Sequence, residues 1–587
     1  MKKYLVTTAV ESSWPSKGKK ILFLGEWCKL FNRKGKWNQF DSDTVEYHWN
    51  DRKKLFSDYQ YLKGLHEEIL VEMKDYLNNL HGVNRSLRYW RMQLGPWLNY
   101  FIPILFDRWY MLKKAQEDYD INVITAPSYE VSEVIAKDTN HFIQLTSSNY
   151  WNQVIYSELS EIFSIEKIEY NSKEFTDYFV NLRKSLKTDN TLKSRIKNII
   201  SSVCKNFVGH SDIFIYSSYL SRKNEIRLSI KLRQFPQIIS NKDLDLPRAS
   251  QERNSYFLSS DQVDFPEIVR VMLKRHLPII FMEGYKSSLK LLDNLNWPQR
   301  PKAIVTAISW AADDIFKLWA GDKIENGSRL ILVQHGGNYG VAKWNSFEDH
   351  KLAVSDRFLS WGWNGNNKKI IALGNVKLFN LSTSYNKKGR LLILGLSMPA
   401  QSYHMYSAVV SAIQWTEYFD DQLKFVNGLD EKIIRKTTVR TPGDDYGCCQ
   451  ADRWTDKKNG FKVNIENEYE ESFNDSIANS RLVVSTYNAT TFLETMALNI
   501  PTVIFWNPKH WELRDEAIDD FEDLKRVGIL YHSSEACAKH VSAIWSDVSS
   551  WWESNTVQSA RTKFCDKYAY IHPKSLDKMV DSFSFDD

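Results

Sequence analysis

The chain has 587 residues, with 43% hydrophobic and 25% charged residues and a net charge of +5 from 77 basic and 72 acidic side chains. That is more chain than one hydrophobic core holds, so two domains with insertions are expected. The charge is too small and too evenly spread for a nucleic-acid binder, and six cysteines with no CxxC pair specify neither a zinc site nor a disulfide framework. Reduced thiols and a cytoplasmic location are the simplest account. The aromatic share of 14%, with 21 tryptophans, suits sugar rings as well as core packing.

The N-terminus has no long apolar stretch, which argues against a signal peptide. The first predicted strand is 20–25, ending at Gly25 and Glu26. Residues 50–120 read as helices, and 121–125 as a short strand stopped by Ala126 and Pro127. The most membrane-like stretch, 94–112, contains Asn99, Pro103, Asp107 and Arg108 and is no spanning helix. A packed helix is expected there, with an interfacial or acceptor-facing helix as the alternative, and with it peripheral contact at an inner membrane.

Residues 130–205 read as helical with polar breaks, and 212–216, 278–282 and 302–306 as strands, the last followed by a helix across 313–319. The polar run 380–390 reads as a linker between lobes. Strands follow at 390–395, 424–426, 437–440, 481–484 and 502–505, and the last 60 residues look helical. Strands alternating with helices predict an α/β protein of parallel βαβ units, with two Rossmann-like lobes and helical insertions in the first. The expected division is 1–380 and 381–587.

Two segments carry most of the chemistry. Residues 330–340 form a strand that breaks into Gln334, His335, Gly336 and Gly337; residues 482–505 form a strand that breaks into Ser485, Thr486, Thr490 and Thr491, then a helix and a further strand. In α/β sheets ligands bind beyond the carboxyl ends of strands, so two breaks about 150 residues apart suggest nucleotide-fold halves facing one cleft. Glycines allow close backbone approach to an anion, and His335 beside them can hold a phosphate or carboxylate or move a proton. Ser485, Thr486, Thr490 and Thr491 at a helix start are a candidate phosphate site, with Glu494 a candidate ribose contact or salt-bridge partner. Arg440, after another strand, suits a phosphate fork.

Glu26 and Glu283 each close a predicted strand. On neighbouring parallel strands they would share a crevice, dividing the roles of nucleophile and general acid, with one pKa raised by burial beside the other charge. Glu348, Asp349, His350 and Asp356 are acidic-His in composition, but without a second cluster no metal site and no cofactor are expected.

Five runs then carry a resemblance: 281–285, 297–302, 314–319, 334–340 and 355–363. With 3–9, 23–28 and 485–495, they resemble a family of transferases from bacterial O-antigen and surface-polysaccharide clusters first catalogued in Leptospira. The Glu283-Gly284-Tyr285 and Gln334-His335-Gly336 motifs are also similar, more distantly, to those of retaining β-Kdo transferases. That resemblance implies a GT-B-like fold, a CMP-linked donor and a glycan or lipid-linked glycan acceptor. It places Glu283 as nucleophile, in a position where those enzymes carry Asp, with Glu26 assisting and His335 holding the donor's carboxylate or phosphate. The His-Pro element of CMP-sugar enzymes is absent, with Thr441 and Pro442 near its place. The alternatives are a CDP-glycerol-type polyol-phosphate transferase, a sugar-nucleotide epimerase and a non-catalytic polysaccharide-assembly protein.

Overall fold

The protein was analysed as a computed structural model, which describes residues 3–185, 209–237, 245–258, 264–401, 404–572 and 574–585. It is an α/β protein whose strands pair in parallel. The chain divides into two compact units. One comprises residues 1–217, 233–330 and 401–405; the other comprises 218–232, 331–400 and 406–587.

In the first unit, β1 (Lys3–Val6), β2 (Ile21–Phe23), β3 (Ser42–Thr44), β4 (Ile121–Pro127) and β5 (Glu166–Tyr170) form one sheet in the order β3-β2-β1-β4-β5. β2 is fully buried, as a continuous apolar run on a parallel sheet should be. β6 (Phe214–Ile215) pairs in parallel with β7 (Ala303–Thr306).

Between β3 and β4 run two long helices, Arg52–His81 and Leu87–Asp118. The first starts where the Asp51 carboxylate caps Lys53 and Lys54, and ends at Gly82 in the left-handed region (φ 67°). Its buried Leu55, Tyr59, Leu62, Ile69 and Met73 recur at helical spacing. The second buries most of 94–112. There Asp107 pairs with Arg108 and His48, and Arg108 reaches Asn152. No helix among the described residues is long and apolar enough to cross a membrane.

In the second unit, β8 (Arg329–Val333) pairs with β9 (Arg357–Ser360), and β9 with β10 (Ile370–Ala372). Next come β11 (Arg390–Leu394), β12 (Thr437–Thr441), β13 (Asn464–Asn467), β14 (Ser480–Ser485), β15 (Thr502–Phe505) and β16 (Leu530–Tyr531). They form a six-stranded parallel sheet in the order β13-β12-β11-β14-β15-β16. This is the strand order of a doubly wound nucleotide-binding sheet, and its direction reverses between β11 and β14.

Four sequence expectations are corrected. Residues 278–282 are not a strand: Ile279–Phe281 is a 3-10 turn whose first two N–H groups bond Ala136 and Lys137 carbonyls, while Gly284 N–H bonds Ile279. An apolar run that short is buried equally well by a turn. Residues 424–426 lie inside the helix Ser411–Asn427, where Trp415, Tyr418, Phe419, Gln422 and Phe425 are buried at three- and four-residue intervals. Within 130–205, β5 interrupts the helices, and the break near 187–191 lies outside the described residues. β4 also runs through Ala126 and Pro127 rather than stopping there.

Candidate active site

The second unit brings the two breaks together. Thr486 sits at the reversal point of the six-stranded sheet, its N–H and Oγ1 both donating to the Leu394 carbonyl at the end of β11 (3.2 and 2.9 Å). The Tyr418 hydroxyl lies 2.5 Å from Thr486 Oγ1 and accepts from Leu396 N–H, tying the two strand ends. The chain then enters the helix Thr490–Ala497, whose cap residue Ala489 offers no side-chain acceptor. The first N–H groups of a helix need acceptors from outside it, and they attract anions.

The Gly336-Gly337 turn lies against that helix start. Gly337 N–H donates to Thr490 Oγ1 (2.9 Å). A Cβ on Gly337 would collide with the Ala489 carbonyl, so only glycine fits. Asn338 (φ 73°) donates through Nδ2 to the carbonyls of Ser407 and Asn488 (both 3.3 Å) and accepts from Asn345. Ser485 Oγ and Thr491 Oγ1 are 3.4 Å apart, and Thr491 also donates to the Tyr487 hydroxyl.

His335 is half-buried, with the Lys351 amine 2.7 Å from its Nδ1. Gln334 is fully buried. Its Oε1 accepts from Trp361 N–H and Trp363 Nε1, and its Nε2 donates to the Gly336 carbonyl. It therefore shapes the turn from beneath. Glu348 binds Gly340 N–H (2.8 Å) and Arg514 (2.9 Å). Among the described residues no cluster of three His, Cys, Asp or Glu could hold a metal ion.

Glu494 lies within the same helix as Thr490. Burial raises its pKa, and Lys377 at 3.0 Å opposes that shift. Arg440 is held by Glu466, Ser476 and the Glu471 carbonyl (2.7, 2.7 and 2.8 Å), so its fork binds the neighbouring strand and helix.

In the first unit Glu283 receives Arg253 in a bidentate pair (2.8 and 2.6 Å) and Ser250 N–H at 2.8 Å. Burial alone would raise its pKa; the Arg253 fork and the backbone donor outweigh it, and the net shift is downward. The expectation of a raised pKa and a protonated acid is thereby corrected for this residue. Glu26 follows β2 and pairs with Lys29 at 2.7 Å. Because Glu283 lies just beyond a 3-10 turn and on no strand, the neighbouring-strand argument for a shared crevice fails.

The sequence model of the family described as LIC12162 family transferase matches residues 3–583. The chain belongs to that family. No curated protein matches this transferase in sequence. Among solved structures, a spinosyn rhamnosyltransferase in complex with spinosyn aglycone is similar at 12% identity, covering 51% of this chain and 76% of its own, with a TM-score of 0.28. A TM-score that low does not establish a shared fold.

Several residues of the transferase escaped the sequence reading. Lys351 follows Glu348, Asp349 and His350, which read with Asp356 as an acidic-His cluster, and nothing local says that its amine turns inward. Asn338 could have been found, since Asn among glycines at a strand end favours the left-handed backbone. Arg514, Lys377 and Tyr418 come from distant segments and give no local signal.

Proposed function

We propose that this transferase moves a sugar from a nucleotide donor, CMP-linked in the favoured form, to a glycan or lipid-linked glycan acceptor during bacterial surface-polysaccharide (O-antigen or capsule) synthesis. The transferred sugar is Kdo or another acidic ulosonic sugar. The observation that carries this reading is the Gly336-Gly337 turn lying against the uncapped start of the helix Thr490–Ala497 at the reversal point of the six-stranded sheet.

The helix N–H groups and the Thr490 hydroxyl suit a phosphate; the Gly337 N–H, donating to Thr490 Oγ1, orients that hydroxyl, and Ser485 and Thr491 lie beside it. Thr486 braces the strand end, and Gln334 fixes the turn. His335 adds a ring nitrogen for the donor's phosphate or carboxylate. A leaving phosphate held by such dipoles is stabilised as its charge develops, by several kcal/mol in comparable sites (about 3–4 for one donor).

Within the reading, the acceptor and catalytic lobe is drawn from residues 1–380 and the nucleotide-sugar lobe from 381–587 of a GT-B-like enzyme acting at the cytoplasmic side, with residues 331–380 packed into the same compact unit as the nucleotide-sugar segment. Glu283 is the proposed nucleophile, and pairing with Arg253 keeps it ionised, the form a nucleophile needs. Glu26 assists. Glu494 and Arg440, both already bonded within the protein, are the weaker parts of the proposed donor site.

The test is turnover with purified protein. CMP release from CMP-Kdo that depends on a glycan acceptor and is lost in Glu283→Gln supports the reading. Turnover of CDP-glycerol in its place, or retention of full activity by Glu283→Gln, overturns it. A non-catalytic role predicts that Glu283→Gln still complements a polysaccharide-deficient strain.

A further inference from the structure

Tyr219 reaches the candidate site from a distant stretch of chain. Residues 218–232 belong to the second unit, and two anchors fix them there. Ser218 is fully buried; its Oγ donates to Glu225 Oε1 (3.1 Å) and accepts from Leu220 N–H (3.2 Å). Asn224, buried on the helix Arg222–Lys231, bonds the Phe379 carbonyl and the Asn380 amide (2.8 and 3.0 Å). Between the buried Ser218 and Leu220, Tyr219 is 40% exposed. Its backbone is left-handed (φ 63°), a state that costs an aromatic residue free energy.

The Tyr219 ring lies 6.4 Å from the His335 ring, tilted by 37°, and the Lys377 amine stands 5.3 Å from its centroid. Both neighbours lead to one helix. His335 runs into the Gly336-Gly337 turn, where Gly337 meets Thr490 at the helix start; Lys377 pairs with Glu494 one turn further along. Other rings at this turn, those of Tyr339, Trp361 and Trp363, are buried as packing residues should be. The Tyr219 ring is open although its backbone is strained, and strain of that kind collects where ligands are held.

We propose that Tyr219 is a binding residue of this site: a platform on which the base of the donor nucleotide stacks while the phosphate lies at the Thr490 helix start. The proposal rests on the reading of that start as a phosphate site. A nucleotide joins its phosphate to its base through one ribose, so a base platform must stand a short way from the anion site, as Tyr219 does beyond His335. An aromatic face stacks on any base without hydrogen-bond matching, which leaves the choice of base to other groups.

The test is calorimetric titration of the full chain with CMP, UMP, AMP and GMP, and with ribose 5-phosphate as the control that lacks a base. For the nucleotide that wild type binds tightest, Tyr219→Leu should weaken binding by about 5- to 150-fold, the range for losing one stacked base. Tyr219→Phe keeps the ring face and should stay within about twofold of wild type. Ribose 5-phosphate should bind wild type and Tyr219→Leu alike. Nucleotide affinity unchanged in Tyr219→Leu, or an equal loss for ribose 5-phosphate, overturns the platform and leaves the phosphate site standing. Wild type that binds no nucleotide overturns the phosphate site and the platform with it. Tyr219→Ser carries the same expectation should Tyr219→Leu fail to fold.

Discussion

Each unit buries a lysine completely, and the two are held differently. In the first, Lys317 meets the Asp314 carboxylate at 2.6 Å and donates to the Gln93 carbonyl and Thr139 Oγ1 (2.9 and 3.3 Å). Asp314 in turn accepts from Thr139 N–H and Oγ1, which closes the network. In the second, Lys351 meets an imidazole that is itself half-exposed. A charge paired with its opposite and saturated with hydrogen bonds holds segments together. Against the His335 ring nitrogen, burial pushes the Lys351 amine well below the ordinary lysine range, with Glu348 offsetting part of that. The two lysines therefore differ in what their amines meet, although burial alone would have ranked them equal.

The comparison breaks most visibly at Lys317. Lys317→Met strands the Asp314 carboxylate and should cost about 3–5 kcal/mol, read as a lowered urea midpoint of the full chain. Lys351→Met removes an amine whose charge burial already opposes and should cost clearly less; an equal loss would mean that the two lysines do the same job.

Acid titration sharpens the same contrast through Glu158. Burial would raise its pKa, but His276, Arg275 and Tyr129 overrule that and bring it down to about 2. Its contribution to stability is therefore complete above the unfolded value near pH 4.5 and is lost as pH falls from there toward 2. Unfolding curves measured across that window should converge for wild type and Glu158→Gln at the acid end.

A smaller effect, about 1–3 kcal/mol, is expected for Gly337→Ala, because the new methyl meets backbone and not a flexible side-chain end. Calorimetric titration with CMP should show weaker binding as well. Smallest is Thr490→Val, which removes the acceptor of Gly337 N–H for about 1 kcal/mol, with Thr490→Ser close to wild type by the same titration.

Much of the parallel α/β pattern was legible from the sequence. Strands such as β11, β14 and β15 are short apolar runs between polar breaks, and residues 50–120 read as helices from their spacing. The turn at 279–281 was misread because a buried apolar run looks the same in a turn as in a strand. The stretch 424–426 was misread because three residues are too few to reveal a helical period. β5 was missed because its residues are largely charged and exposed.

The two breaks were read as parts of separate halves facing one cleft, whereas Gly337 and Thr490 meet within one compact unit. The neighbours Asn338, Tyr418 and Lys351 were not anticipated, because they depend on contacts between distant segments. The motif that marked Glu283 gave no hint of Arg253, thirty residues earlier, which fixes its ionisation.

The fit of Gly337 against the Ala489 carbonyl has an evolutionary corollary. Neither loop can drift alone: a bulkier residue in one must be answered by a withdrawn backbone in the other. Relatives should therefore change both loops in concert, and a chimaera exchanging only one of them should lose the Gly337–Thr490 contact while keeping its sheet.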